Sequence, residues 1–124
     1  PRSDGSMIRD FIFSEDVADL YLRIGEELSA NSRLNGEVFN AGTNNPISVK
    51  EVIEKIYELV GNTDELNRIH SEMNAKEAPG EIHCQYMDFR KVNKYFGWKP
   101  NHDLEKGLIK TIDWFTAYLK KTHN

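Results

Sequence analysis

Nine consecutive residues, Arg9-Asp10-Phe11-Ile12-Phe13-Ser14-Glu15-Asp16-Val17, change physical character twice and limit what the chain around them can become. A charged pair comes first. Phe11-Ile12-Phe13 then suits a buried strand, because aromatic and β-branched side chains fill a pleated surface. Ser14 is placed to cap a helix by accepting from a free backbone N–H, and Glu15 and Asp16 fall in the first turn, where the helix dipole favours negative charge. The stretch predicts a strand feeding directly into a helix. Arg9 then sits at the strand's mouth, a rigid place from which a guanidinium grips a phosphate in bidentate fashion. On the residues alone, a surface arginine paired with Asp10 or Glu15 is the plainer assignment. Asp10 is expected to satisfy backbone N–H groups of a nearby loop.

Elsewhere, apolar spacing and caps mark the elements. Val17, Leu20, Tyr21, Ile24 and Leu28 recur at helical spacing over 15–28. Residues 37–40 predict a short strand stopped by Gly42 and Asn44-Asn45-Pro46. Ser48-Val49-Lys50-Glu51 is a capping box opening a helix that ends at Gly61, with Val49, Val52, Ile53, Ile56, Leu59 and Val60 inward. Residues 62–78 are polar; a short helix near Asp64–Asn67 or a strand near Ile69 are both open. Residues 81–87 alternate as a strand around Ile82, Cys84 and Tyr86. Asp88 and Asp103 are caps for two further helices, 89–96 and 104–120, separated by Gly97 and Trp98.

Composition narrows the function. At 124 residues the chain is one domain with a single core. Its 39% hydrophobic and 29% charged residues are those of a globular protein, and no apolar run approaches the ~20 residues a membrane helix needs. No secretory signal pattern is seen. A net charge of −4 argues against nucleic acid, which demands a basic face. Arg90, Lys91, Lys94 and Lys99 fall opposite Phe89, Val92 and Phe96, so they read as a solvated face. The lone Cys84 forms no internal disulfide, which fits a reducing cytoplasm, and with His83 alone it makes no zinc site. Neither G-x-G-x-x-G nor Gly-x-Ser-x-Gly occurs. Trp114, Phe115 and Tyr118 read as core and interface.

The opening stretch, with Gly36-Glu37-Val38-Phe39-Asn40-Ala41-Gly42, Pro79-Gly80-Glu81-Ile82 running to Asp88, and Gly97-Trp98-Lys99-Pro100, resembles the C-terminal portion of the extended short-chain dehydrogenase/reductases, in the NAD-dependent nucleotide-sugar epimerase/dehydratase family. The resemblance spans nearly the whole chain. It implies an α/β fold (α+β as an isolated piece), helices packed on short strands, forming a C-terminal substrate-binding domain over 1–124 with the Rossmann half upstream. Pro1 in place of Met agrees with a piece of a longer polypeptide. In whole relatives the chemistry opens with hydride transfer from the sugar C4 to NAD, with a Tyr-x-x-x-Lys tyrosine as base. Tyr95-Phe96-Gly97-Trp98-Lys99 matches those letters, but Gly97 and Pro100 break the helix that would bring the two side chains together.

No residue of this chain is therefore expected to be catalytic, and NAD is expected on the missing half. The resemblance assigns Arg9 to the diphosphate of a nucleotide-diphosphate sugar. Relatives often carry an arginine directly before Pro-Gly; here it is Ala78, with Lys76 as a looser point charge nearby. Gln85 and Tyr86 complete the expected substrate-binding set. A homo-oligomer is expected too, since the helix face of Val17, Leu20, Ile24 and Leu28 would pack on the absent half and lie bare without it. The competing class is a stand-alone, non-enzymatic α/β module binding a nucleotide or a protein.

Overall fold

Three very short strands meet at one place, and the helices hang from them. Strand β1 (Ile8–Arg9) leads into helix α1 (Ser14–Ala30). After a 3₁₀ turn (Ser32–Leu34) come strand β2 (Ile47–Ser48), helix α2 (Val49–Val60) and helix α3 (Thr63–Met73). Strand β3 (Cys84–Gln85), helix α4 (Arg90–Phe96) and helix α5 (Leu104–Thr122) complete the computed structural model, which describes residues 3–73 and 79–122. The sheet order is β2-β1-β3. β1 runs antiparallel to β2, with Ile8 opposite Ser48, and parallel to β3, with Arg9 opposite Gln85.

The start of α2 is fastened to the segment before β1. A helix leaves its first backbone N–H groups without partners inside itself. Here Val49 donates to the Met7 carbonyl at 3.0 Å, Lys50 to the Gly5 carbonyl at 2.9 Å, and Glu51 to the Ser48 hydroxyl at 3.1 Å. Glu51 returns the bond to the Ser48 N–H, so the capping box is complete, and Gly61 ends the helix in the left-handed region at φ 70°. Gly5 also adopts a positive φ of 76°, and a Cβ there would strike the buried Met73 side chain at 2.1 Å. Both the turn and the close approach require glycine.

The core lies on the other side of α1. Leu20, Val92 and Trp98 are buried together, with Ile12, Ile24, Phe39, Phe89 and Phe96 packed around them. The helix face expected to be bare is thus largely covered: Leu20 is buried, Val17 and Ile24 are half-buried, and Leu28 is exposed. α4 and the Trp98 segment supply the cover, which apolar spacing within α1 cannot announce.

Several boundaries differ from the sequence expectation for identifiable reasons. The strand stops at Arg9; Phe11-Ile12-Phe13 is extended but unpaired, and Phe13, not Ser14, takes the cap position without a side-chain bond. Residues 37–40 keep their alternation, Phe39 tucked against Phe96 and Val38 out, yet form no ladder among the described residues. Periodicity reports which face is buried, not whether a partner strand exists. The strand expected over 81–87 shrinks to Cys84–Gln85, because β1 offers only two residues to pair with. Cys84 is exposed. In the polar stretch, Thr63–Met73 is one helix: Asn62 caps it by accepting from Glu65 N–H at 3.2 Å, and Leu66, Ile69 and Met73 share its inner face. On α5, Leu108 and Ile112 are half-buried, whereas Ile109, Trp114, Phe115 and Tyr118 are exposed.

One buried charge joins the two ends of the chain. Asp16 is only 1% exposed. Its carboxylate accepts from Asn101 N–H at 3.0 Å and His102 N–H at 3.2 Å, with His102 Nδ1 at 2.9 Å. Its carbonyl accepts from the Trp98 indole at 3.3 Å. Burial pushes the Asp16 carboxyl up, but the bonds from His102 and Asn101 outweigh it, so its pKa lies below the ordinary 3.8. The unfolded chain then takes up this proton first, and stability from Asp16 is complete above about pH 5 and lost as pH falls through the folded value. Asp16→Asn should cost about 3 kcal/mol at neutral pH, as expected for a buried charge network deprived of one partner. Urea unfolding at pH 7 and pH 3 checks this: the gap between wild type and variant should narrow at the lower pH.

Candidate functional site

Arg9 is the natural starting point, because β1 is held on both edges and cannot drift. Its guanidinium donates from Nη1 to the Ile8 carbonyl at 2.8 Å, and Nη2 lies 3.7 Å from Glu81 Oε2. The side chain is 26% exposed. It borders a cleft of about 290 Å³ whose walls include Met7, Val49, Ile53 and Met73 and whose rim carries Glu81. Glu81 follows Gly80, which turns the chain at φ 85°. Two residues on, the His83 carbonyl accepts from Ile8 N–H at 2.8 Å, opening the pairing with β3.

The predicted set is brought together only in part. Gln85 stands opposite Arg9 across the parallel pair, so both side chains leave the same face of the sheet. Tyr86 lies just beyond β3 and is 56% exposed, and neither it nor Gln85 is among the residues lining the cleft. Lys76 lies outside the described residues. Glu81 is the residue that sequence reasoning passed over. Its only signal is position, an acid placed directly after the Pro-Gly turn. Asp16 and His102 were likewise not linked in advance, since 86 positions separate them.

A second carboxylate fills another potential anion site. Asp10 accepts from Thr43 N–H at 2.8 Å and Asn44 N–H at 3.3 Å, and also from the Thr43 hydroxyl. This is the loop role expected of Asp10. It bears directly on NAD. A dinucleotide cradle needs a strand, a glycine turn with free amides and a helix start. Gly42-Thr43-Asn44 comes nearest, and there the Thr43 and Asn44 amides donate to Asp10, while a Cβ at Gly42 would lie 2.5 Å from Asp10 Oδ2. A larger cleft of about 380 Å³, bordered by Phe11, Phe89, Lys99, His102 and Lys106, shares no lining residue with the Arg9 cleft and includes none of the predicted set.

Comparison with known proteins follows the same lines. The solved structure of UDP-glucose 4-epimerase from Thermotoga maritima with UDP-glucose superposes with a TM-score of 0.71 at 24% identity, over 96% of this chain and 35% of that one. A dTDP-glucose 4,6-dehydratase from Bacillus anthracis in complex with NAD gives 0.66 at 24% identity, over 93% and 33%. The fold is therefore shared with about a third of each of these two chains. The chain belongs to the GDP-mannose 4,6 dehydratase family, whose model matches residues 3–111. Among curated relatives, the UDP-glucose 4-epimerase of Mycolicibacterium smegmatis is 30% identical over 112 residues, which is 90% of this chain and 32% of that protein. The dTDP-glucose 4,6-dehydratase 1 of Escherichia coli is 27% identical over 122 residues, 97% and 32% respectively. The chain thus spans about a third of the length of the curated relatives it matches.

Removing Asp10 should show that the carboxylate, not solvent, holds the 42–45 loop. Asp10→Ala leaves the Thr43 and Asn44 amides without their acceptor and should cost about 2 kcal/mol. Amide hydrogen exchange at Thr43 and Asn44 should accelerate well beyond that at α2; equal rates in wild type and variant would refute the assignment.

Proposed function

We propose that this chain is the nucleotide-sugar-binding portion of an NAD-dependent sugar epimerase or dehydratase. In this reading it forms a C-terminal substrate-binding domain, and NAD belongs to a Rossmann unit outside it. The piece alone is catalytically inert. Its task is to hold the nucleotide diphosphate so that the sugar is presented to chemistry on another segment, an orientation effect rather than bond-making. A nucleotide-diphosphate sugar is the partner, and the cytoplasm is the compartment.

The observation that carries the reading is the setting of Arg9. A guanidinium steadied by a backbone carbonyl on a doubly paired strand and bordering a cleft, with Gln85 its neighbour across the strand pair, suits a diphosphate better than a free surface arginine would. Arg9→Ala in the complete protein should weaken binding of UDP, dTDP or GDP, whichever binds best, by about tenfold or more. Isothermal titration calorimetry reads it. Arg9→Lys should restore only part of the loss, since an ammonium lacks the planar fork. Unchanged affinity in Arg9→Ala would assign Arg9 to structure.

Self-association belongs to the same reading, though through a different surface from α1. Trp114 and Tyr118 stack at 5.1 Å on α5 and are 59% and 49% exposed, with Phe115 beside them. Exposed apolar area of this kind favours a contact between copies. Sedimentation of the chain at rising concentration should show a dimer or larger species, and Trp114→Ala with Tyr118→Ala should shift it toward monomer.

A further inference from the structure

We infer that residues 38–41 are an open strand edge, held ready by Lys91, onto which a strand from another part of the same protein adds. This rests on the reading that a further unit of the protein lies outside this chain.

The stretch is fixed at both ends and along one face. At its start a single ammonium serves three consecutive residues. Lys91 donates to the Glu37 carboxylate at 2.6 Å and to the Val38 carbonyl at 2.7 Å, and lies 4.8 Å from the centre of the Phe39 ring. At its end Thr43 donates to Asp10, and a Cβ at Gly42 would lie 2.6 Å from the Met87 carbonyl oxygen. Between these points Phe39 meets the Phe96 ring at 5.0 Å and Ala41 packs on the core. Val38 and Asn40 are exposed, Val38 by 75%. That alternation has the period of a strand.

The main chain there is left open. No hydrogen bond between described residues uses the backbone of Phe39, Asn40 or Ala41, and the Val38 carbonyl is met by Lys91. β1, two residues long, is paired on both edges; this longer stretch is paired on neither among the described residues. A row of bare donors and acceptors is a template for another extended chain. A helix does not fill it, because a helix spends its backbone groups on itself. Nor does the stretch carry the charge or proline that keeps open edges apart: Val38, Phe39, Asn40 and Ala41 are all uncharged. The occupant that fits is a strand of the same protein. The chain spans about a third of the length of its relatives, so a larger unit needs a face to bury against it. A covalently joined strand also acts at a high effective concentration that a second copy lacks.

Amide hydrogen exchange on the complete protein, read residue by residue with no nucleotide present, tests the pairing. Alternate amides over 38–41 should exchange at least about a hundredfold more slowly than in an unstructured peptide, as hydrogen-bonded strand amides do. The rate should not depend on protein concentration. Exchange as fast as in the peptide would overturn the pairing. Protection that appears only as concentration rises would give the edge to a second copy and overturn the occupant. Lys91→Met should speed the same amides about tenfold, the scale of one or two lost hydrogen bonds, and leave the Thr43 amide on Asp10 unchanged. Lys91→Arg should restore protection. Equal acceleration at Thr43 would overturn the role of Lys91. Because no nucleotide enters the measurement, unaltered diphosphate affinity in Arg9→Ala would sink the binding reading and leave the pairing standing, whereas bare amides at 38–41 would do the reverse.

Discussion

Residues 5–9 are gripped from both sides by backbone hydrogen bonds, and the remaining structure is arranged around that grip. On one side the Gly5 and Met7 carbonyls take the first N–H groups of α2; on the other, Ile8 N–H reaches the His83 carbonyl. A two-residue strand has little intrinsic stability. It persists because a helix terminus with unsatisfied donors and two neighbouring strands all need the same few groups. The consequence for chemistry is a fixed Arg9. In the proposed diphosphate role, its carbonyl-bound guanidinium would lose little further freedom, and reduced ordering cost is where pre-organised sites gain affinity.

Three carboxylates serve as internal anions in this small protein, and they differ in how firmly they are held. Asp16 is buried, and its bonds to Asn101 and His102 join the first helix to the approach to the last. Asp10 is half-buried and closes the 42–45 loop through two amides and a hydroxyl. Glu81 rests beside Arg9 with no directed bond. The first two are structural because withdrawing either strands buried or half-buried donors. This gradation separates the carboxylates that hold loops in place from the one that only neighbours a cation.

Helix ends were the most legible part of the sequence. Ser48 with Glu51, Gly61, Gly97 and Asp103 each act locally, within a turn of where they stand, so their chemistry is visible in the letters. Strands were poorly legible because pairing is a property of two segments. Phe39 and Ala41 face inward in the pattern a strand predicts, yet no strand among the described residues pairs with them. The helix Thr63–Met73 is longer than the short helix left open against a strand near Ile69, because Leu66, Ile69 and Met73 are the few apolar residues marking its inner face in a polar stretch. Of the candidate site, Arg9 and Gln85 were legible through the motifs, and their side-by-side placement came from strand register.

By itself, then, the order of residues determined the capped helices, the turn glycines, the family likeness and the presence of an arginine at a strand. These follow from short-range forces: hydrogen bonds to nearby backbone, the left-handed conformation glycine tolerates, and helical spacing of apolar side chains. Only the tertiary structure decided that Asp16 would be buried beneath His102, that Asp10 would occupy the Gly42 loop, and that Glu81 would face Arg9. Each of these depends on where a distant segment comes to rest, and a carboxylate's partner is chosen by which donors packing leaves within reach.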